Sequence, residues 1–387
     1  MLKKKGNLIH LLSLLIAVAM VSVGLTACSS ETPAGNSVSE ASAPNASASG
    51  TSAPGPSASG PSAAGTPAAG TPQSAQGGTS AGEDKFVLRI GYGGNLCEAP
   101  LHMAVEKGFF EEEGLKVDLI KLAPGTVFDS VTADKIDAGF SLLASMIQPL
   151  SNGLPVKITT GLHTGCDKVL AKKDSGLEKP ADFKGKKIGV PSMSSSPIIF
   201  TKRVLADNGI GISVEKSEVE FVVYSTSDLP IALQNGAVDA IAMNDPTATI
   251  AANEYDLNIV FDSALDKPYS EQYCCSAFVR DNILKDHQDA ALKYTRAMQK
   301  ASAWVQKNQD ETARIQVENK WVAGDAELNA KILKTYNYIP SVSGAYEAFG
   351  ITAKQIQAVG MLDKDVDTEA LQKNSFITLD GIQEEFK

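Results

Sequence analysis

The chain has 387 residues and a formal net charge of −10, from 45 acidic against 35 basic side chains. It carries no long basic run, which excludes nucleic acid as a partner class. Residues 86–387 are more than one hydrophobic core usually supports, so two lobes are expected there.

The first segment reads as an export signal. Lys3, Lys4 and Lys5 precede an apolar run at residues 8–25. That run is barely long enough to span a bilayer and is interrupted by His10, Ser13 and Ser22. It ends in LTAC, which resembles the bacterial lipobox and implies cleavage after residue 27 and diacylglyceryl modification of Cys28. Two acyl chains suffice for stable anchoring where one does not. Residues 28–84 are almost wholly Ala, Ser, Gly, Pro and Thr, too poor in apolar surface to offset the entropy of ordering. They are expected to form a disordered tether with a reach of roughly 40 Å.

From residue 86 short apolar runs alternate with helical patterns. Strands are expected at 86–92, 115–122, 138–141 and 156–162, with helices from Pro100 to Gly108 and at 126–133 and 143–151. A further run at 169–172 leads to a second series. It has strands at 187–190, 220–224, 240–243 and 258–261 and helices at 196–207, 229–235 and 247–254. Beyond Tyr273 the run CCSAFV reads as a return strand, followed mostly by helix, including 289–308. The pattern predicts α/β lobes built from right-handed βαβ units. Residues 85–172 and 274–387 would form lobe 1 and residues 173–273 lobe 2. The two crossings fall near 173–180 and 262–273, with a ligand cleft between the lobes. The loops beyond the carboxyl ends of the strands are then where a ligand should bind.

The first such loop is GYGGNLCEAP, residues 91–100. It fails the dinucleotide fingerprint, because Leu96 stands where the third glycine belongs. Gly93 and Gly94 suit a tight turn, and Glu98 suits a helix N-terminus.

The runs APLHMAVEKGFFEEEGLKVDL, DKIDAGF, DFKGKKIGVPSMSSSP and LQNGAVDAIAMNDPTA, taken in order, resemble ABC-transporter solute-binding proteins of the nitrate/sulfonate/taurine type. Thiamin-pyrimidine-binding proteins belong to the same broader group. The resemblance spans residues 86 to about 372. It implies a type II periplasmic-binding-protein fold, a clamp that closes on a small molecule, and delivery to a permease and its ATPase. It implies no turnover, no cofactor and a monomeric chain anchored through its lipid on the extracytoplasmic face of the membrane.

The candidate ligand residues come from these loops. Asn95, Leu96, Cys97 and Glu98 follow the first strand, Ser141 ends the third, and His163, Thr164 and Cys166 follow the fourth. Ser192, Ser194, Ser195 and Ser196 precede Pro197 at a helix N-terminus, where free N–H groups and the dipole favour an anionic or oxygen-rich group. One serine there could simply be an N-cap. Tyr224, Asn244 and Asp245 end strands of the second lobe, and Asp245 doubles as a helix N-cap candidate. Tyr273 at the re-entry point could stack on a planar ligand.

Cys97, Cys166, Cys274 and Cys275 have three readings: small buried hydrophobes, a Cys97–Cys166 disulfide, or a soft-metal site. Their spacing matches no zinc motif, so metal ranks last and none is expected. The loops contain Glu98, Asp167 and Asp245 and, for cations, only Lys168 nearby. A guanidinium clamp on a sulfonate is therefore not evident in these loops, although helix N–H groups can hold an anion unaided, and a planar, partly cationic heterocycle fits comparably well. An enzyme reading stays open through thiamin-pyrimidine synthases of the same fold, which carry a cysteine-rich run. YCCSAF resembles that run only in part, since Ser276 and Ala277 interrupt it. A surface sensor using the same clamp is a third possibility.

Overall fold

The computed structural model describes residues 86–384 except Pro124 and Val214. The signal segment, Cys28 and the tether lie outside the described residues. No helix among the described residues is long and apolar enough to cross a membrane.

Among the described residues ten strands form two five-stranded mixed sheets. In the first, β1 (Leu88–Tyr92) pairs in parallel with β2 (Val117–Lys121) and β3 (Ala138–Leu142). β10 (Tyr273–Arg280) then runs antiparallel between β3 and β4 (Val156–Thr164). The second sheet repeats the plan. β6 (Lys187–Val190) pairs in parallel with β7 (Glu220–Val223) and β8 (Ala240–Asn244), while β5 (Asp167–Lys172) runs antiparallel between β8 and β9 (Leu257–Asp262).

Helices α1 (Ala99–Glu106), α2 (Phe109–Glu112), α3 (Val127–Thr132) and α4 (Leu143–Ser151) belong to the first half, and α5 (Ser196–Asp207), α6 (Leu229–Gln234) and α7 (Thr247–Glu254) to the second. After β10 come α8 (Asp281–Asp286), α9 (Gln288–Lys307), α10 (Gln309–Glu318), α11 (Ala326–Leu333), α12 (Val342–Ala358) and α13 (Thr368–Ser375). α9 buries Ala290, Ala291, Tyr294, Ala297, Met298, Ala301 and Val305. That spacing makes one apolar face, which packs with Leu88, Ile90 and Met103 in one core. A second core joins the lobes: α5 contributes Ile198, Ile199 and Val204 beside Met146 and Ile147 of α4 and Phe349 and Ile356 of α12.

The two α/β lobes are as expected, but the first crossing is not where polarity suggested. β5 belongs to the second sheet, so the chain leaves lobe 1 at Gly165–Cys166 rather than near residues 173–180. β4 and β5 are both buried almost throughout, and only two residues separate them. The turn is made by backbone conformation: Gly165 has φ 79°, and a Cβ there would lie 2.7 Å from Ala264 Cβ. Cys166 follows at φ 152°, outside the usual range for a residue with a side chain. The return crossing runs between β9 and β10. Ser263 on it ties the two crossings together, its Oγ accepting from the N–H groups of Cys166 (3.0 Å) and Asp167 (2.8 Å).

Candidate ligand cleft and thiol cluster

A narrow cavity opens where the crossings meet. Gly165, Asp167, Ser196, Phe200 and Arg203 line it from one side and Gln272, Tyr273, Cys274 and Thr352 from the other. Measured to the centres of water-sized spheres it holds about 30 Å³. That is room for roughly two waters.

α5 supplies much of one wall. Ser196, Phe200 and Arg203 are four and then three residues apart, which places them on one helical face. Ser195 occupies the N-cap, but its hydroxyl donates back to Ser192 O at 2.8 Å and caps no helical N–H. Ser192 and Ser194 lie on the more open rim, whereas Ser196 is buried. Ser196 Oγ donates to Asp167 Oδ2 at 2.5 Å, and Asn244 Nδ2 donates to Asp167 Oδ1 at 2.5 Å. Burial pushes the Asp167 carboxyl well above its ordinary range, the charge of Cys274 adds to this, and the Ser196 hydrogen bond opposes it.

Arg203 is the cation that the loops lacked. It is 7% exposed, its Nε donates to Gln355 Oε1 at 2.5 Å, one Nη donates to Gln272 Oε1, and the guanidinium lies over the Tyr269 ring at 5.2 Å. It therefore links α5 with α12 and with the return crossing. The loops at the strand ends hold no arginine, as read from the sequence; Arg203 lies two turns inside α5, and only the helical period from Ser196 would have brought it to the cleft.

Several predicted contacts have other roles. Leu96 is fully buried in the lobe 1 core. Glu98 is 3% exposed and accepts from the N–H groups of Gly93 (2.7 Å), Gly94 (2.6 Å) and Asn95 (3.0 Å). It therefore holds the glycine loop together rather than facing a ligand. Burial, with the charge of Cys97, raises its pKa to about 7 against the pull of those three donors. Asn95 is exposed beside it. Asp245 is 1% exposed and fully occupied: Lys168 Nζ lies 2.6 Å from Oδ2, Thr249 donates to Oδ1 from both N (3.1 Å) and Oγ1 (2.6 Å), and Tyr336 OH donates to Oδ2 at 3.2 Å. That Tyr336 bond joins the second sheet to the segment after α11. Ser141 sits on β3 opposite Ser276 of β10, and Tyr224 packs at the edge of the second lobe's outer core. Tyr273 OH donates to Ile339 O. Thr164 is buried, and its Oγ1 accepts from Asn337 N at 3.3 Å.

The cysteines do converge. All four in the described residues are free thiols, and Cys166 Sγ lies 3.8 Å from Cys275 Sγ. Of the three readings the Cys97–Cys166 disulfide is the one not seen, and Cys166 has Cys97, Cys274 and Cys275 all as hydrogen-bonding neighbours. Hydrogen bonds from Cys166 and Cys275 hold Cys97 well below the ordinary thiol range, while burial holds Cys166 and Cys275 well above it. Burial also acts to raise Cys274, but hydrogen bonds from Cys166 and Cys275 and the charge of His163 bring it down to about 5. His163 is fully buried between Tyr336 and Tyr338, with ring centroids at 5.5 and 4.8 Å, and its Nδ1 lies 3.0 Å from Thr164 O. Cys97 is its side-chain hydrogen-bonding neighbour.

A family model described as NMT1/THI5 like matches residues 95–312. A Bacillus subtilis protein named as an aliphatic sulfonates-binding protein is 24% identical over 307 residues, 77% of this chain and 90% of that one. The 4-amino-5-hydroxymethyl-2-methylpyrimidine phosphate synthase of Aspergillus parasiticus is 27% identical over 233 residues, 57% of this chain and 67% of that one. Among solved structures, the periplasmic aliphatic sulphonate binding protein SsuA of Escherichia coli superposes with a TM-score of 0.62 at 17% identity, covering 78% of this chain and 96% of that one. The shared architecture is the two-lobed periplasmic-binding-protein fold, and by its matching sequence the chain belongs to the NMT1/THI5-like family.

Proposed function

We propose that this chain is the extracytoplasmic solute-binding subunit of an ABC importer, anchored through a lipid on Cys28 and held off the membrane by its tether. Closure of the lobes captures a small polar molecule, which passes to a permease. The observation that carries this reading is the cavity at the two crossings, lined from both lobes by Ser196 at the N-terminal end of α5 and by the buried guanidinium of Arg203 two turns further along it. Arg203 is the basic side chain among the cavity's lining residues, and the Asp167 carboxyl is engaged by Ser196 and Asn244. The favoured ligand thus carries an anionic oxygen group, such as a sulfonate, carboxylate or nitrate oxygen, with its remainder against Phe200 and Tyr273. A guanidinium and helix N–H groups recognise such a group through charge-assisted hydrogen bonds.

A thermal-shift panel of nitrate, alkanesulfonates, taurine, thiamin precursors and flavins on the chain lacking its first 28 residues tests this. A ligand at a hundred times its Kd stabilises by about 2.7 kcal/mol, a readily seen shift. No shift from any member would count against the reading.

A further inference from the structure

We infer that Cys274 is an oxidation site on the cavity wall, where a small peroxide converts it to a sulfenic acid that Cys166 resolves into a disulfide between the two crossings. Cys274 is a partly exposed thiol and lines the cavity with Gly165, Asp167, Ser196 and Arg203. Cys166 and Cys275 are buried behind it. The sulfur atoms of Cys166, Cys274 and Cys275 all lie within 4.8 Å of one another. Cys97 stands outside this set and groups with His163 and Cys275.

Access and size select the oxidant. The cavity holds about 30 Å³, roughly two waters, which suits hydrogen peroxide with its two heavy atoms and excludes a bulky disulfide. The reacting form of a cysteine is its thiolate, and reactive cysteines occupy partly exposed sites near cationic groups. Arg203 lines the same cavity. Burial acts to raise the Cys274 thiol, but hydrogen bonds from Cys166 and Cys275 and the charge of His163 bring it to about 5.

The Cys274 thiolate attacks one peroxide oxygen, the O–O bond breaks, and the departing hydroxide takes a solvent proton to leave as water. Cys274 is then a sulfenic acid, oxidised by two electrons. The Cys166 sulfur attacks that sulfur, an S–S bond forms and the S–O bond breaks. The hydroxide leaves with the Cys166 proton as a second water. One peroxide thus consumes two thiols.

Cys166 is the resolving partner on geometry. Cys275 follows Cys274 directly in β10 and is held there opposite Leu142 and His163. Adjacent Cα atoms are about 3.8 Å apart, short of the ~4.4–6.8 Å that disulfides usually span. Cys166 comes from a separate segment and has Cys274 as a hydrogen-bonding neighbour. It makes the first crossing, and Cys274 is the second residue of β10, just past the return crossing. A bond between them would tie the two connections through which hinge closure acts. The oxidation needs no transported solute, so it stands or falls apart from the ligand panel.

The test uses the chain lacking its first 28 residues, reduced, desalted into chelator and treated with one equivalent of hydrogen peroxide. Thiols are then titrated in the denatured protein, and the bonded pair is located by mass spectrometry of its peptides. The expected result is a fall from four free thiols to two, reversed by reductant, with a peptide joining Cys166 to Cys274. Cys166→Ser should instead accumulate a sulfenic acid at Cys274, trapped by dimedone. Cys274→Ser should form no disulfide at the same dose, and Cys97→Ser should form the wild-type bond. The wild-type map needs no variant, so a variant that fails to fold leaves the test intact. Four thiols surviving the treatment, a bond located at any other pair, or dimedone trapped at a cysteine other than Cys274 would overturn the assignment.

Discussion

Replacing Lys168 by Met decides whether Asp245 is a structural group or one reserved for ligand. The ammonium lies 2.6 Å from Asp245 Oδ2 and 3.6 Å from Asp262 Oδ2, and donates to Thr249 Oγ1 at 2.9 Å. The Lys168 and Asp245 side chains are 5% and 0% exposed, so solvent screens the pair little. Met fills a similar volume but leaves two neighbouring carboxylates without their cation. Removing one partner of such a pair costs about 3–5 kcal/mol, and thermal or denaturant unfolding of the purified chain should show a loss of that order. The loss should depend on pH. Burial already raises the Asp262 carboxyl while Lys168 pulls it down, so losing the lysine raises it further, the folded state binds more protons and the variant loses stability as pH rises. The deficit should then be larger at roughly pH 8 than at pH 5. Lys168→Met combined with Asp245→Asn should lose less than the two single changes summed. A single-variant loss below about 1 kcal/mol, unchanged with pH, would refute the reasoning and return Asp245 to the list of ligand groups.

Other outcomes follow from the same geometry. Arg203→Gln should weaken binding of an anionic ligand by about 10–150-fold, the equivalent of one charge-assisted hydrogen bond at ~1.5–3 kcal/mol, measured by titration calorimetry on folded variant. Arg203→Lys should recover only part, because lysine lacks the fork that reaches Gln355 and Gln272. Burial lowers the His102 pKa from 6.5 to about 3. Between those values the unfolded chain binds a proton that the folded one does not, so the His102 contribution to stability is lost as pH falls, at about 1.4 kcal/mol per pH unit. Comparing wild type with His102→Gln by unfolding across that window isolates this slope, since Glu98, raised to about 7, gives the opposite slope in both proteins. Cys28→Ser should leave the protein unlabelled by palmitate and release it from membranes; continued lipidation of the variant would remove the anchor from the account.

Much of the fold was legible because local signals agreed. The expected helix at 196–207 is α5 to the residue, since Pro197 follows its first position and apolar residues recur at helical spacing. The strand runs likewise match β1 to β4 and β6 to β10 to within a few residues. The lobe boundary was not legible, because β4 passes into β5 through only Gly165 and Cys166, too short a link to read as a crossing between sheets. The site was legible in its loops and less so in its chemistry. Asp167, Ser196, Asn244, Tyr273 and the cysteines do gather at the crossings, yet Glu98 and Asp245 serve N–H groups and a lysine that the sequence could not show beside them. Arg203 lies inside α5, outside the loops at the strand ends. The thiol cluster depends on β10 inserting between β3 and β4, a pairing that chain spacing does not encode.

The central claim is that one small molecule is held, unchanged, between the lobes. Titration calorimetry of the strongest stabiliser from the panel, followed by mass spectrometry of the ligand recovered from the complex, tests it most directly. The account predicts a stoichiometry of one and a recovered ligand identical to that added. A chemically altered ligand would contradict it, as would saturable binding undiminished in Arg203→Gln.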